Sequence, residues 1–299
     1  MDVWWLGLLS SPIRVVLLKM TMRWFLQFGF LLFLLSCAPE PPCSVVSYNN
    51  ENAMNIILFP DGFDSPRQEA LGEYIIETIK GKEPFKSRPY FNVYRIENYN
   101  TSICAPYRPE TIYGGYGSPL PPLNCSVAQV TALVSSCNIE KGKIIIMTSD
   151  NVASQTGISY DESGVMFMDM KNQVPEVIQH EFGHFFGLVD ERPKLWSYAL
   201  GAGRQPAPNC VKTAAETERW SRLYSENHTV PQGCAGNPDW YFPEHEAIMG
   251  PSPTVEKPYG AFNEWYISTA MDCCYARNRT AYTCEAFFAE FPEWKECRQ

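Results

Sequence analysis

The chain has few basic residues, few histidines and little charge of either sign. Its 299 residues include 24 Lys and Arg against 33 Asp and Glu, a formal net charge of -9, and four histidines. An acidic surface repels phosphate, so we expect no nucleic-acid partner. Low-complexity tracts and internal repeats are also missing, while 14% of the residues are aromatic. This composition excludes a disordered chain and favours a packed globular protein.

An apolar run of membrane-spanning length is lacking in the N-terminal region. Trp24–Leu35 is a run of twelve uncharged residues that follows Arg23. Twelve residues are too few for a transmembrane helix, but they are typical of the apolar core of a signal peptide. We therefore predict that residues 1–36 are a signal peptide, in which residues 1–19 could be an over-extended start.

The end of this segment, Leu-Leu-Ser-Cys, resembles the cleavage box of bacterial lipoproteins. The resemblance implies that Cys37 is the lipidated first residue of the mature chain, with an ordinary signal peptide as the alternative. It further implies an exported protein at the bacterial cell envelope, either on the outer membrane or at the cell surface, whose membrane contact is the lipid at Cys37. Residues 37–53 would then be the lipidated cysteine and a tether.

No two cysteines have the C-x-x-C spacing, which argues against zinc-ribbon and thioredoxin-like proteins. Ten cysteines follow Cys37, and an even number in an exported chain predicts up to five disulfides whose pairing the sequence leaves open. The adjacent Cys273 and Cys274 are expected to enter two separate disulfides. The ten are Cys43, Cys104, Cys125, Cys137, Cys210, Cys234, Cys273, Cys274, Cys284 and Cys297.

Apolar periodicity predicts an α/β (α+β) fold for residues 54–299. The N-terminal subdomain, 54–189, is expected to contain a mixed sheet and a helix that carries the site. The C-terminal subdomain, 190–299, is expected to be rich in loops, to be cross-linked by disulfides and to end in helices. The predicted strands are 55–59, 90–96, 143–148 and 164–170, and the predicted helices are 66–80, 126–137, 174–188, 261–275 and 283–294.

The most informative stretch is His-Glu-Phe-Gly-His-Phe-Phe-Gly-Leu-Val-Asp-Glu, residues 180–191. His180 and His184 lie four residues apart, so a helix places both imidazoles on one face, where they can bind one cation. Glu181 sits beside the first histidine and can reach a water molecule on that cation. Two of the four histidines fall in this motif, which argues against coincidence.

A third ligand is expected shortly after the helix. Gly187 allows the chain to turn out of the helix, which can bring Asp190 back towards the histidines. Two histidines and one carboxylate leave a position open for water, as in catalytic zinc sites. The alternatives for the third ligand are Glu191, His245, His228, Glu216 and Glu218.

The extended pattern H-E-x-x-H-x-x-G-x-x-D, with Ile248-Met249-Gly250 later in the chain, resembles the metzincin clan of zinc metallopeptidases. It is similar to snapalysin-like members, in which Asp replaces the third His, and to the bacterial IgA-protease-like members. The resemblance implies that His180, His184 and Asp190 bind Zn²⁺, that Glu181 is the catalytic general base, and that Met249 forms the Met-turn beneath the metal. It also implies a substrate-binding edge strand at Gly164, Val165, Met166, Phe167 and Met168.

These features predict a zinc-dependent endopeptidase that acts on polypeptides, and we expect it to be a monomer. The alternative is a surface binding or adhesion lipoprotein that keeps the fold without turnover. The intact Glu181 favours the enzyme, because a site without catalysis has no need of a base. The identity of the substrate is not encoded in any motif of the sequence.

Overall fold

Short apolar runs separated by helices form the strands of this protein. The computed structural model contains, in chain order, β1 (Cys43–Ser47), β2 (Met54–Asp61), β3 (Phe91–Ile96), β4 (Cys104–Pro106), β5 (Leu123–Cys125), β6 (Lys143–Thr148), β7 (Gly157–Tyr160), β8 (Val165–Asp169), β9 (Gln232–Cys234) and β10 (Asn237–Tyr241). The structure describes residues 43–61, 65–97, 104–106, 123–125, 127–137, 139, 142–148, 157–160, 164–169, 175–191, 207–225, 228–250, 257–277 and 281–298. The described residues belong to a single compact unit, Pro42–Gln299.

Six strands form the central sheet in the order β1-β3-β2-β6-β8-β7. The four inner strands are parallel, whereas β1 and β7 run antiparallel to their neighbours at the two ends of the sheet. The pairs β4–β5 and β9–β10 are small antiparallel sheets. The fold is therefore of the mixed α/β class that the sequence predicted.

Helices pack on both faces of the sheet. They are α1 (Ser65–Lys80), α2 (Val127–Ser135), α3 (Pro175–His184), a 3-10 turn (Ala214–Thr217), α4 (Glu218–Ser221), α5 (Ala261–Ala270) with its π-helical extension (Met271–Tyr275), α6 (Ala281–Glu290) and a final 3-10 helix (Pro292–Arg298). Among the described residues, no helix is long and apolar enough to span a membrane.

The side chains of β2 alternate between two cores. Ile56 and Leu58 belong to the larger core, which contains the apolar residues of α1, α3 and the C-terminal helices. Ile57 and Phe59 face the smaller core, to which α2 contributes Val130 and Val134. Burial on both faces explains why the inner parallel strands are almost continuously apolar. The larger core fixes the position of α3 against the sheet.

Two expectations about strands are corrected by the structure. Residues 43–47 lie within the predicted tether, yet they form β1, which pairs with β3. The alternation of this strand is weak because Val45 and Val46 are both exposed. The predicted edge strand, 164–168, is also wrong as an edge, because β8 is flanked by β6 on one side and by β7 on the other. Strand β7 was not predicted, because its four residues are too few to show a recognisable strand pattern.

Disulfides link distant parts of the chain as the cysteine count predicted. The bridges join Cys43 to Cys137, Cys210 to Cys234, Cys273 to Cys284 and Cys274 to Cys297. The adjacent Cys273 and Cys274 thus enter two separate bridges, as expected. Cys104 and Cys125 are register partners in the β4–β5 pair. Cys37 and the predicted signal peptide lie outside the described residues.

Candidate metal centre

Helix α3 carries the two histidines on one face. Proline is tolerated at its first position, Pro175, because the first amide of a helix needs no partner within it. Val177, Ile178 and Phe182 are buried in the larger core. His180 and His184 lie one turn apart on another face, with ring centroids 5.0 Å from each other. The helix therefore presents both imidazoles to one point.

Backbone carbonyls fix the orientation of both rings. Nδ1 of His180 donates a hydrogen bond to the carbonyl oxygen of Ile248 at 2.8 Å, and Nδ1 of His184 donates to that of Leu188 at 2.7 Å. Because a carbonyl can only accept, Nδ1 carries a proton in each ring, and Nε2 is the nitrogen that can bind a cation once it carries no proton. A hydrogen bond from the second ring nitrogen is the usual support of a metal-binding histidine.

Asp190 completes the group after the chain reverses direction. The helix ends at His184, and Gly187 adopts a positive φ of 76°, the left-handed conformation expected there. Oδ1 of Asp190 then lies 2.9 Å from Nε2 of His180 and 3.6 Å from Nε2 of His184. The three potential ligand atoms lie within 4.8 Å of one another. The prediction that these three residues come together is confirmed.

The dimensions of this group are compatible with a tetrahedrally coordinated cation such as zinc. Zinc bonds of about 2.0–2.2 Å in tetrahedral geometry place neighbouring ligand atoms roughly 3.4 Å apart, and the distances from Asp190 lie on either side of that value. Burial lowers the pKa of His180, but a hydrogen bond from the ring to Asp190 and the charges of Asp190 and Glu181 raise it to about 9. The surroundings therefore favour a positive charge here. Without a metal this charge is a second proton on the His180 ring, and a bound cation would replace that proton.

Glu181 lies beside the group without belonging to it. Its Oε2 is 3.9 Å from Nε2 of His184, and its side chain is 11% exposed. That distance is too long for a direct hydrogen bond, but it leaves the carboxylate within reach of a water molecule at the open position. A carboxylate at this distance can accept a proton from a water molecule placed between it and the histidines.

Met249 packs against α3 at Gly183, between the two histidines. Its side chain is fully buried, and its sulfur would lie 2.7 Å from a Cβ atom built on Gly183. Gly183, between the two histidines, is therefore needed for the close approach of α3 to this turn. The turn also supports the site through its backbone, because the amide of Glu191 donates to the Met249 carbonyl at 2.8 Å.

The other candidates for the third ligand have different partners. Within the described part of the chain, no further acidic residue, histidine or cysteine joins the group. Glu191 is fully buried and its Oε1 accepts hydrogen bonds from the amides of Asn209 and Asn263. His228 stacks on Tyr224, and the exposed His245 packs against Phe242. Glu216 caps a 3-10 turn through Thr213, and Glu218 is exposed at the start of α4.

Three supporting residues were not predicted from the sequence. The Ile248 carbonyl orients His180, the hydroxyl of Tyr259 donates to the carbonyl of Gln179 on α3, and Asn209 contacts both neighbours of Asp190. Backbone carbonyls leave no sequence signature. A buried asparagine in a Pro-rich loop looks like an ordinary turn residue.

Comparison with protein-family models and curated proteins identifies no relative of this chain. A scan against models of protein families finds no match, and a search of curated proteins likewise returns none. The geometry of the site therefore carries the functional argument.

Proposed function

We propose that this chain is a zinc-dependent endopeptidase of metzincin type, in which His180, His184 and Asp190 hold the metal. The observation that carries the proposal is the convergence of two Nε2 atoms and one carboxylate oxygen beside Glu181. Two imidazoles and a carboxylate with an open position are the ligand set of catalytic zinc. Export and lipid attachment at Cys37 complete the proposal.

Glu181 would act as the general base and then as the proton donor to the leaving amine. When bound, zinc supplies a Lewis acid that polarises the scissile carbonyl and lowers the pKa of a water molecule to about 7. The carboxylate of Glu181 accepts the proton of the attacking water and delivers it to the departing nitrogen. The carbonyls of Ile248 and Leu188 keep both imidazoles in the tautomer that binds the cation.

The substrate would bind along β7. This strand ends the order of the central sheet and lies next to α3. An extended peptide can add to such an edge through backbone hydrogen bonds, which position a scissile bond with little dependence on side chains. This assignment moves the substrate edge from β8, where the sequence predicted it, to residues 157–160.

Metal analysis and proteolysis test the proposal together. The full chain, purified with its disulfides formed, should contain about one zinc per molecule and cleave casein or gelatin until a zinc chelator is added. Glu181→Gln should keep the zinc and lose cleavage by about a hundredfold or more, because a positioned base contributes about 10²–10⁴ to such rates. Glu176→Gln, in the first turn of the same helix, is the matched control and should cleave normally.

Two results would contradict the enzyme assignment. Undiminished cleavage by Glu181→Gln would exclude Glu181 as the base. A wild-type chain that holds zinc but cleaves no polypeptide would favour the non-catalytic binding lipoprotein instead. Iron in place of zinc would contradict the metal assignment, because two histidines and a carboxylate can also bind Fe²⁺.

A further inference from the structure

Asp190 lies in a segment without regular secondary structure, so its position depends on contacts from elsewhere. Residues 188–191 follow the end of α3 and its turn. The carbonyl of Asp190 accepts a hydrogen bond from the amide of Ala235 at 2.8 Å. The neighbouring residues, Val189 and Glu191, both form hydrogen bonds with the side chain of Asn209.

Asn209 is fully buried and uses every hydrogen-bonding group of its side-chain amide. Its Oδ1 accepts from the amide of Val189 at 2.9 Å, and its Nδ2 donates to the carbonyl of Val189 at 2.8 Å and to Oε1 of Glu191 at 2.9 Å. The residue before Asp190 and the residue after it are thus bound to the same amide group. This arrangement restricts how far the carboxylate of Asp190 can move.

A disulfide joins the two segments that provide these contacts. Cys210 follows Asn209, Cys234 precedes Ala235, and the two cysteines are bonded to each other. Ala235 has a positive φ of 48°, which is uncommon for a residue with a Cβ atom and needs support from its surroundings. The side chain of Val189 packs against the small core formed by Cys210, Cys234 and their neighbours.

We propose that Asn209 is the positioning residue for Asp190, and that the Cys210–Cys234 disulfide preorganises Asn209 and Ala235 for that role. The inference rests on the proposed metal site. Asn209 is not one of the three proposed ligands. Its effect is to hold Asp190 where both histidines face it, so that metal binding requires little rearrangement.

The test compares two buried asparagines in the full chain. Asn209→Ala should weaken zinc binding about 10- to 100-fold in a competition titration with a chromogenic chelator, as is typical when a residue supporting a ligand is lost. Asn92→Ala is the matched control, because Asn92 is also buried and makes four side-chain hydrogen bonds in β3. Asn92→Ala should lower the melting temperature and leave zinc affinity unchanged.

Further variants separate positioning from loss of fold. Asn209→Asp keeps the shape and the acceptor of the side chain but loses both donors, so its affinity should also fall. Replacing Cys210 and Cys234 with serine should weaken zinc binding about tenfold, whereas the same change at Cys43 and Cys137 should not. The visible spectrum of bound Co²⁺ should change in Asn209→Asp and stay unchanged in Asn92→Ala.

The outcomes distinguish the inference from the function on which it rests. Tight zinc binding by folded Asn209→Ala and Asn209→Asp, with an unchanged Co²⁺ spectrum, would overturn the positioning role alone. Equal weakening by Asn92→Ala would also overturn it, because the effect would then be one of general stability. A wild-type chain that binds no zinc would contradict the proposed function, and the inference with it.

Discussion

The close contact between α3 and the Met249 turn makes Gly183→Ala an informative substitution. A Cβ atom at this position would lie 2.7 Å from the sulfur of Met249 and 3.1 Å from Cε1 of Tyr259. Both side chains are fully buried, and Tyr259 is further held by its hydrogen bond to Gln179. Neither neighbour can move into solvent to make room for the added methyl group.

Two effects of opposite sign determine how Gly183→Ala changes the free energy of unfolding. Alanine is favoured over glycine inside a helix by about 0.8–1.0 kcal/mol. Overpacking a well-packed core costs about 1–3 kcal/mol. Because the contacts are buried on both sides, we expect overpacking to dominate, with a net loss of about 1 kcal/mol in the free energy of unfolding. Zinc affinity should fall as well, since His180 and His184 flank the substituted position.

A double-mutant cycle with Met249→Ala isolates the contact. Met249→Ala alone should cost about 2–5 kcal/mol, because it leaves a cavity in the core. In that background the clash with sulfur is gone and only the 3.1 Å contact with Tyr259 remains, so Gly183→Ala should be less destabilising in urea unfolding of the metal-free protein than it is in the wild type. A stabilising effect of Gly183→Ala in the wild-type background, or the same effect in both backgrounds, would refute the packing argument.

Three further outcomes are expected. Saturating zinc should raise the melting temperature of the wild type by an amount equivalent to about 4 kcal/mol when free zinc exceeds its dissociation constant 1,000-fold, and Asp190→Ala should show no such rise in calorimetry. Phe85→Ala should lower the free energy of unfolding by about 3–5 kcal/mol in urea titrations, because Phe85 is fully buried against Phe182, Phe186 and Tyr259. A loss below about 1 kcal/mol would be inconsistent with this packing. Burial raises the pKa of Tyr275 from 10.0 to about 12, so the folded state retains the phenolic proton to higher pH than the unfolded state does. The protein should therefore lose stability as the pH rises from 10 to 12. Tyr275→Phe should lose less stability over this window, and a pH profile identical to that of the wild type would contradict the assignment.

Local patterns in the sequence predicted most of the elements that position the site. Continuous apolar runs predicted β2 and β6, and helical periodicity predicted α1 and α3, because each element must bury one face or both. The weakly patterned elements were missed. The exposed Val45 and Val46 of β1 follow no alternation of buried and exposed residues, and β7 has only four residues.

Phe85 is a core residue whose burial was missed for the same reason, the absence of a local sequence pattern. It belongs to no helix or strand, yet it is among the most buried side chains and contacts α3 through Phe182 and Phe186. A single phenylalanine in a turn carries no periodicity, so burial of this residue could not be predicted. Only the folded chain brings the loop after α1 against the helix that carries the histidines.

The sequence by itself determined the pair of histidines, since a spacing of four residues on a helix places both rings on one face whatever surrounds them. It also determined the turn at Gly187, where a residue without a Cβ atom is needed. The tertiary structure decided which carboxylate meets those rings, how the cysteines pair and which strand lies at the edge of the sheet. These three depend on contacts between residues far apart in the chain, such as Asn209 with Val189 and Ile248 with His180, and no local pattern specifies such contacts.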